Sequence, residues 1–220
     1  MAKRKLERFE ECKTFPNLIQ AGYFELLNDY PLKGKWSEKY FNNQHPLVLE
    51  LGCGKGEYTN SLALKNPGIN YIGIDNKGAR LWRGCKTAIE KKLDNVCFVR
   101  TRIELIERFF STGEVSEIWI TFPDPQPGSR ERKRLTSPRF LKQYKQILKP
   151  DSIIHLKTDN LMLFEYTLDT IQNEGHELLF HSFDLYGLNL EDDASAVQTF
   201  YEKMFLEQGI SIKYLRFRLK

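Results

Sequence analysis

The sequence has 220 residues, 41% of them hydrophobic and 13% aromatic, which is enough for one α/β domain to bury a continuous core. Its longest apolar runs are the size of strands and fall short of the roughly 20 residues of a membrane-spanning helix. The four cysteines have no paired spacing, the basic N-terminus has no apolar stretch behind it, and the formal net charge is +4. These features predict a cytoplasmic protein with reduced thiols, no bound metal and no signal peptide.

Strand-like and helix-like segments alternate along most of the chain, which predicts a parallel sheet with helices on both faces. Residues 1–45 have weak periodicity, and we expect a basic, partly mobile N-terminal extension ahead of a single domain over residues 46–220. In this domain we predict strands over 47–51, 70–74, 96–99, 117–122 and 152–156, and helices over 58–64, 78–92, 103–110, 138–148 and 161–173. Two alternating segments, 177–186 and 210–219, complete a doubly wound, mostly parallel seven-stranded α/β sheet with an antiparallel C-terminal edge.

A glycine-rich turn follows the first strand of the domain. The glycines are spaced as Gly52-x-Gly54-x-Gly56, and Glu50 stands two residues before the first of them. A dinucleotide fingerprint would instead be G-x-G-x-x-G, with its amides aimed at a pyrophosphate. S-adenosylmethionine has no phosphate and carries an ammonium group that suits an acid such as Glu50. The spacing therefore favours this methyl donor, with a tight β-to-α turn as the structural alternative.

An acid ends the second strand of the domain. Asp75 follows Tyr71-Ile72-Gly73-Ile74, at the place where a doubly wound fold holds ribose hydroxyls with a carboxylate. The alternative is that Asp75 caps the helix that begins near Lys77. The glycine loop and this acid together predict a site for a nucleoside cofactor.

The loop after the fourth strand combines prolines with an acid. Pro123 and Pro125 flank Asp124, restrict the backbone and point the acid out of the carboxyl edge of the sheet. A run of cations with one acid, Glu131, comes next: Arg130, Arg132, Lys133, Arg134 and Arg139. Such runs are commonly solvated faces, but the position of this one after the loop favours a polyanionic partner.

At these motifs the chain resembles the bacterial tRNA (guanine-N7-)-methyltransferases, over nearly everything from Leu47 to the C-terminus. The matching segments are Glu50-Leu51-Gly52-Cys53-Gly54-Lys55-Gly56, Gly73-Ile74-Asp75, Phe122-Pro123-Asp124-Pro125, Leu135-Thr136-Ser137-Pro138-Arg139-Phe140, His155-Leu156-Lys157-Thr158-Asp159 and Thr199-Phe200-Tyr201-Glu202-Lys203. The resemblance implies a Rossmann-like class I methyltransferase that converts the guanosine at position 46, in the variable loop of tRNA, to 7-methylguanosine. It also implies contacts to S-adenosylmethionine at Glu50, Asp75 and Asp124, and contacts to the substrate at Asp159, Thr199 and Glu202.

Two segments depart from the family's pattern. Where the family has a small polar pair that contacts adenine, this chain has Thr101-Arg102-Ile103, and we assign that contact to Arg102. Where the family has lysines after the Pro-Asp-Pro loop, this chain has Gly128-Ser129, and we assign phosphate binding to Arg130 and Lys133.

The chemistry of guanine N7 assigns roles to these acids. N7 has an exposed lone pair and no proton, so orientation matters more than a general base, and neither His155 nor Cys53 is needed as a catalyst. A carboxylate stabilises the positive charge that develops on the base, which we assign to Asp124. Carboxylates also accept hydrogen bonds from the N1–H and the amino group of guanine, and we assign this role to Asp159 and Glu202. The structural alternatives are a helix N-cap at Asp159 and a surface helix turn at Thr199 and Glu202.

Three alternative functions have to be weighed against this one on the residues alone. A methyltransferase for small molecules or proteins leaves the Pro-Asp-Pro loop and the cations after it unexplained, and a nicotinamide oxidoreductase disagrees with the glycine spacing. A non-catalytic RNA-binding protein on this fold predicts the loss of Glu50, Asp75 or Asp124, which are all present. We expect tRNA as the partner, no membrane contact, no obligate protein partner, and a monomer or homodimer.

Overall fold

Strands and helices alternate along most of the chain. The computed structural model describes residues 2–22, 24–188, 190 and 192–220, with the side chains of residues 2–5 outside the description. The strands are β1 Leu18–Ile19, β2 Leu47–Leu51, β3 Asn70–Asp75, β4 Val96–Arg100, β5 Val115–Thr121, β6 Leu148–Thr158, β7 Glu177–Ser182 and β8 Lys213–Arg218. The helices are α1 Ala2–Cys12, α2 Glu57–Lys65, α3 Gly78–Glu90, α4 Ile106–Phe109, α5 Pro138–Ile147, α6 Leu161–Asn173, α7 Asp193–Ala196 and α8 Phe200–Glu207.

Within the described residues, eight strands form one sheet in the order β1-β4-β3-β2-β5-β6-β8-β7. Strands β1 to β6 run parallel, and β8 pairs antiparallel with both β6 and β7. The predicted fold class, a mostly parallel α/β sheet with an antiparallel C-terminal edge, is confirmed. The strand that the sequence pattern missed is β1, because two residues are too few to show a periodicity.

The N-terminal segment packs against the domain at several points. Strand β1 lies beside β4, and the fully buried indole of Trp36 donates to the carbonyl of Phe109 at 2.8 Å. Helix α1 lies against α3, where Trp82 Nε1 donates to Glu11 Oε2 at 2.6 Å. A domain boundary at residue 46 and mobility of residues 1–45 stay predictions. The basic side chains at the N-terminus, Lys3, Arg4 and Lys5, lie outside the described side chains.

Alternation along β2 separates the two faces of the sheet. Leu47, Leu49 and Leu51 join the larger apolar cluster, while Val48 joins the cluster on the opposite face. Glu50 shares the side of Val48, because successive strand residues point to opposite faces. The strand therefore carries a carboxylate into the interior beneath α2.

Among the described residues, the helices are too short or too polar to span a membrane.

Three glycines pack around one aromatic ring where α2, α3 and β3 meet. A Cβ atom at Gly56, Gly73 or Gly84 would lie 2.5, 2.7 or 2.8 Å from the ring atoms of Phe98. These distances are shorter than van der Waals contact, so each position excludes a side chain. The resemblance drew attention to Gly56 and Gly73 as motif residues, and the structure shows that both also have a packing role.

We predict that Gly73→Ala lowers the free energy of unfolding by about 1–3 kcal/mol, because the added methyl group overlaps Phe98. The matched control is Gly68→Ala, where a Cβ has no neighbour within 4 Å, and which should be neutral or slightly stabilising. Chemical denaturation of both variants tests this, and Phe98→Leu should partly restore Gly73→Ala. Equal losses in the two alanine variants would contradict the packing explanation.

Candidate cofactor and substrate site

The direction in which the chain winds changes at β2. This strand has β3 on one side and β5 on the other, so the loops after β2, β3 and β5 meet at the carboxyl edge of the sheet. A ligand binds at such a point in doubly wound folds. Two adjoining cavities open here and share Gly52, Arg80 and Phe122.

The inner pocket lies over the glycine loop and reaches α2 and α8. Its lining includes Glu50, Gly54, Thr121, Thr199 and Tyr201. The outer cleft extends from the ends of β3 and β4 to the loop after β5, and it encloses about 430 Å³. Its lining includes Asp75, Thr101, Arg102, Asp124 and Lys133. Most of the predicted cofactor residues therefore lie along one continuous depression.

The carboxylate of Glu50 is buried and joins three elements. One oxygen, Oε2, accepts from both the backbone amide and the hydroxyl of Thr59 on α2. The other oxygen, Oε1, accepts from the hydroxyl of Thr121 at the end of β5, at 2.6 Å. Burial raises the pKa of Glu50 to about 7, although these hydrogen bonds act in the opposite direction. Glu50 therefore shapes the floor of the inner pocket as well as lining it.

The glycine loop has the conformation that its residues predict. Gly52, Gly54 and Gly56 all have positive φ, at 77°, 56° and 66°. Asp75 supports this loop, because its Oδ2 accepts from Gly54 N–H at 3.0 Å. Its Oδ1 accepts from Lys77 N–H at 2.8 Å, while Lys77 itself occupies the N-cap position of α3. The acid therefore connects the glycine loop to the start of α3.

The Asp124 loop has a fixed backbone and an exposed acid. Phe122 and Gln126 adopt positive φ, at 48° and 47°, and Asp124 Oδ1 accepts from Gln126 N–H at 3.0 Å. Arg134, which is 3% exposed, donates to the carbonyl of Pro125 at 3.1 Å and lies over the ring of Tyr166. Arg134 was predicted among the cations that face a polyanion, and this prediction is wrong because its side chain is buried against the loop.

The rim of the outer cleft contains a buried hydroxyl without a partner. Thr101 is 7% exposed, and its Oγ1 makes no hydrogen bond within the described part of the chain. The neighbouring Arg102 is exposed, and so are Arg130 and Lys133. An unpartnered buried polar atom costs free energy unless a ligand or water satisfies it. Thr101 is a residue of the cleft that sequence reasoning named only as the neighbour of Arg102.

The predicted substrate residues have three different settings. Thr199 lines the inner pocket and caps α8, where its hydroxyl accepts from Glu202 N–H at 3.3 Å. Asp159 is half-buried, and its carbonyl accepts from Lys213 Nζ at 3.0 Å. Asn160, and not Asp159, is the N-cap of α6, so the capping alternative for Asp159 is wrong. Neither of the two cavities includes Asp159 among its lining residues.

Glu202 lies beneath the surface in a buried ion pair. Both it and Lys157 are 0% exposed, with Nζ and Oε1 2.6 Å apart. Glu202 also accepts from the hydroxyl of Tyr186 at 2.6 Å. Burial lowers the pKa of Lys157, and the neighbouring carboxylate opposes this effect. The structure therefore does not bring Glu202 to the wall of the pocket. It gives Lys157 a role that the sequence did not indicate.

The other titratable candidates are unsuited to catalysis, as expected. His155 is buried, stacks on Trp119 with centroids 3.9 Å apart, and has its pKa lowered to about 3 by burial. It is a neutral residue of the core. Cys53 lines the inner pocket, but burial raises its pKa well above the ordinary value, so it remains a thiol.

Comparisons with known proteins agree with this arrangement. Residues 44–215 match the family described as putative methyltransferase. The crystal structure of the 16S rRNA methyltransferase KamB superposes with a TM-score of 0.63 at 17% identity, over 83% of this chain and 92% of that chain. The fold is therefore that of a class I, Rossmann-like methyltransferase.

Full-length relatives define the family more narrowly. A protein of Christiangramia forsetii is 56% identical over 100% of this chain and 99% of its own length. A protein of Bacteroides thetaiotaomicron is 46% identical over 100% of this chain and 87% of its own length. A protein of Lactococcus lactis subsp. cremoris is 38% identical over 87% of this chain and 88% of its own length. All three are named tRNA (guanine-N(7)-)-methyltransferase. The chain belongs to this family.

The raised pKa of Glu50 predicts a specific pH dependence of stability. Between its ordinary value of 4.5 and its folded value of about 7, the folded protein binds more protons than the unfolded chain. The contribution of Glu50 to stability therefore decreases as pH rises through this window, by about 3 kcal/mol in total.

Glu50→Gln keeps the size and shape of the side chain and removes the titrating carboxyl group. We expect its unfolding free energy, relative to the wild-type protein, to increase by about 3 kcal/mol between pH 4.5 and pH 8. Urea unfolding across this range measures the difference, in which the contributions of other titrating groups cancel. A difference that does not change with pH would show that Glu50 is ionised normally in the folded protein.

Proposed function

We propose that this protein transfers the methyl group of S-adenosylmethionine to N7 of the guanosine at position 46 in the variable loop of tRNA. The observation that carries the proposal is the position of Asp124. This exposed acid lies at the rim of the outer cleft that also contains Asp75 and Arg102, and the cleft adjoins the inner pocket. Family membership supports guanine in tRNA as the substrate, since relatives of 38–56% identity are named for that reaction.

The residues of the two cavities fit this cofactor. Asp75 uses one position on each oxygen for a backbone amide, which leaves acceptor capacity for ribose hydroxyls. Glu50 uses three of about four acceptor positions, and the remaining one suits an ammonium group, which also favours the ionised carboxylate. The unpartnered hydroxyl of Thr101 and the side chain of Arg102 are suited to the adenine end. When bound, the cofactor supplies an electrophilic methyl group.

Gly52, Gly54 and Gly56 bring the backbone close to the methionyl part of the cofactor. Their positive φ values turn the chain without a side chain over the pocket. A Cβ at Gly54 would meet no protein atom within 4 Å, so packing alone does not explain the glycine there. The space beside it is available to a ligand.

Asp124 acts on the base. Guanine N7 attacks through its lone pair, and positive charge develops on the purine as the bond forms. The carboxylate of Asp124 stabilises that charge and aligns the base with the methyl group, while no residue has to remove a proton from N7. The loop holds Asp124 in position, because Arg134 clamps Pro125 and Phe122 N–H donates to the carbonyl of Lys157 at 2.8 Å.

Thr199 and Asp159 contact the substrate, and Glu202 serves the same site as a positioning residue. Glu202 accepts from Thr199 N–H at 3.2 Å and forms the ion pair with Lys157, so it holds the start of α8 at the pocket. Lys133, which lines the outer cleft, and Arg130, an exposed residue of the same short helical segment, bind tRNA phosphates. We further propose that the protein acts in the cytoplasm as a monomer or homodimer, without an obligate protein partner.

Incubation with labelled S-adenosylmethionine and an unmodified tRNA tests the reaction. We expect one methyl group per tRNA that has guanosine at position 46, and none when this base is adenosine. Carboxylates accept from the N1–H and the 2-amino group of guanine, whereas adenine has an acceptor at N1 and no amino group at C2. Nuclease digestion and mass spectrometry identify the product as 7-methylguanosine. Equal labelling of both tRNAs, or of neither, would overturn the proposal.

Substitution of Asp124 tests its assigned role. We expect Asp124→Ala to reduce the single-turnover rate constant of methyl transfer by roughly 100- to 1,000-fold without loss of folding, because the side chain is exposed and its loss removes the charge beside the base. Asp94→Ala, at an exposed acid in the turn before β4, is the matched control and should retain wild-type activity. Single-turnover methylation assays measure both variants, and substantial activity in Asp124→Ala would exclude a direct role for this acid.

A further inference from the structure

A basic groove leads away from the inner pocket across α2, α3 and α8. We call it the α3–α8 groove and define it by six exposed cations, which are Arg8, Lys55, Arg80, Arg83, Lys91 and Lys203. Glu57 is the acid among its lining residues, and its carboxylate accepts from Phe200 N–H at 2.7 Å. Lys55, Glu57 and Arg80 also line the inner pocket, so the groove and the pocket are continuous.

The six cations of the groove have no carboxylate partner among the residues that the structure describes. Within the described ranges none of them forms an ion pair, whereas the neighbouring Lys65 and Lys86 pair with Asp193 and Glu11 at 2.7 and 3.2 Å. Unpaired cations in a concave surface add their potentials and attract a polyanion. The groove therefore has the charge that a phosphate backbone requires.

Exposed aromatic rings stand where the groove meets the inner pocket. Phe200 and Tyr201 are 60% and 50% exposed, and Lys55 Nζ lies 5.4 and 5.7 Å from their ring centroids. At the other end of the groove, Arg8 lies over the ring of Trp82 at 4.6 Å. Aromatic rings among cations are typical of surfaces that stack unpaired bases while binding the backbone between them. This combination favours a nucleic acid over an acidic protein or an anionic membrane.

We propose that the α3–α8 groove binds the tRNA backbone adjoining the methylated guanosine, with a neighbouring base stacked on Phe200. The inference rests on the proposed function and adds a second contact surface to it. Lys133 lines the outer cleft and Arg130 belongs to the same short helical segment, whereas the groove extends from the inner pocket over α2 and α3. The tRNA strand therefore crosses the site with cations on both sides of the reacting base.

The outer cations of the groove allow a test that leaves the cofactor site unchanged. Arg83, Lys91 and Lys203 do not line the inner pocket or the outer cleft. We expect the triple variant Arg83→Ala/Lys91→Ala/Lys203→Ala to bind unmodified tRNA at least about tenfold more weakly near 0.1 M salt. The slope of log affinity against log salt concentration should decrease in magnitude by about two, because three phosphate contacts are lost. Its affinity for S-adenosylmethionine should equal that of the wild-type protein.

A matched control removes the same charge elsewhere. Lys35→Ala/Lys142→Ala/Lys149→Ala changes three exposed cations that form no ion pair within the described residues and that lie just before Trp36, on α5 and at the start of β6. We expect its tRNA affinity to stay within about twofold of wild type, with an unchanged salt slope. Circular dichroism confirms that both triple variants are folded. Equal losses in the two triple variants would overturn the groove, because only net charge would then matter.

Substitution of Phe200 separates stacking from charge. We expect Phe200→Ala to weaken tRNA binding by roughly fivefold or more with no change in the salt slope, since stacking releases no counterions. Phe183→Ala, at a 47% exposed ring in the segment after β7, is the control and should bind as wild type does. Wild-type tRNA affinity in Phe200→Ala would overturn the stacking contact.

The outcomes for the groove and for the reaction are distinguishable. A wild-type protein that methylates tRNA, together with a groove triple variant of unchanged tRNA affinity and salt slope, overturns the groove and leaves the proposed function standing. A triple variant that keeps its tRNA affinity but loses binding to phosphatidylglycerol vesicles overturns the groove in favour of a membrane surface. A wild-type protein that neither binds nor methylates tRNA overturns the proposed function itself.

Discussion

The carboxylate of Glu50 connects the elements on which the site depends. It lies near the end of β2, at the point where the winding of the chain changes direction, and it accepts hydrogen bonds from Thr59 on α2 and Thr121 on β5. Burying an ionised group costs free energy, and burial raises the pKa of Glu50 to about 7 against the opposing effect of its hydrogen bonds. In the proposed function, this acid faces the ammonium group of S-adenosylmethionine.

A second buried charge lies next to this network. Lys157 on β6 is the register partner of Thr121, and its ammonium group contacts Glu202 and the carbonyls of Ala194 and Val197. These contacts fasten the segment before α8 to the sheet. A buried ion pair is weak evidence for stability, because desolvation offsets much of the attraction, but it holds its partners in one arrangement. Here that arrangement puts Thr199 and Tyr201 at the pocket wall.

Charge is distributed around the site in a way that the linear sequence does not show. The run of cations after Asp124 is visible as a cluster, yet Arg134 within it is buried and supports the loop. The cations of the α3–α8 groove come from distant parts of the chain and meet only because α1, α2, α3 and α8 pack side by side. The exposed aromatic pair Phe200 and Tyr201 lies at the mouth of this groove for the same reason.

The sequence by itself determined the fold class and the family, and it predicted the acids of the candidate site. Apolar runs of strand length, the glycine spacing after Glu50 and the acids Asp75 and Asp124 are local patterns, and each can be read without knowing what packs against it. The two-residue strand β1 and the setting of Glu202 could not be predicted in this way. Only the tertiary structure decided that Lys157 pairs with Glu202, that Phe98 occupies the space left by three glycines, and that six separated cations form one groove. These are contacts between residues far apart in the chain, and no periodicity or spacing encodes them.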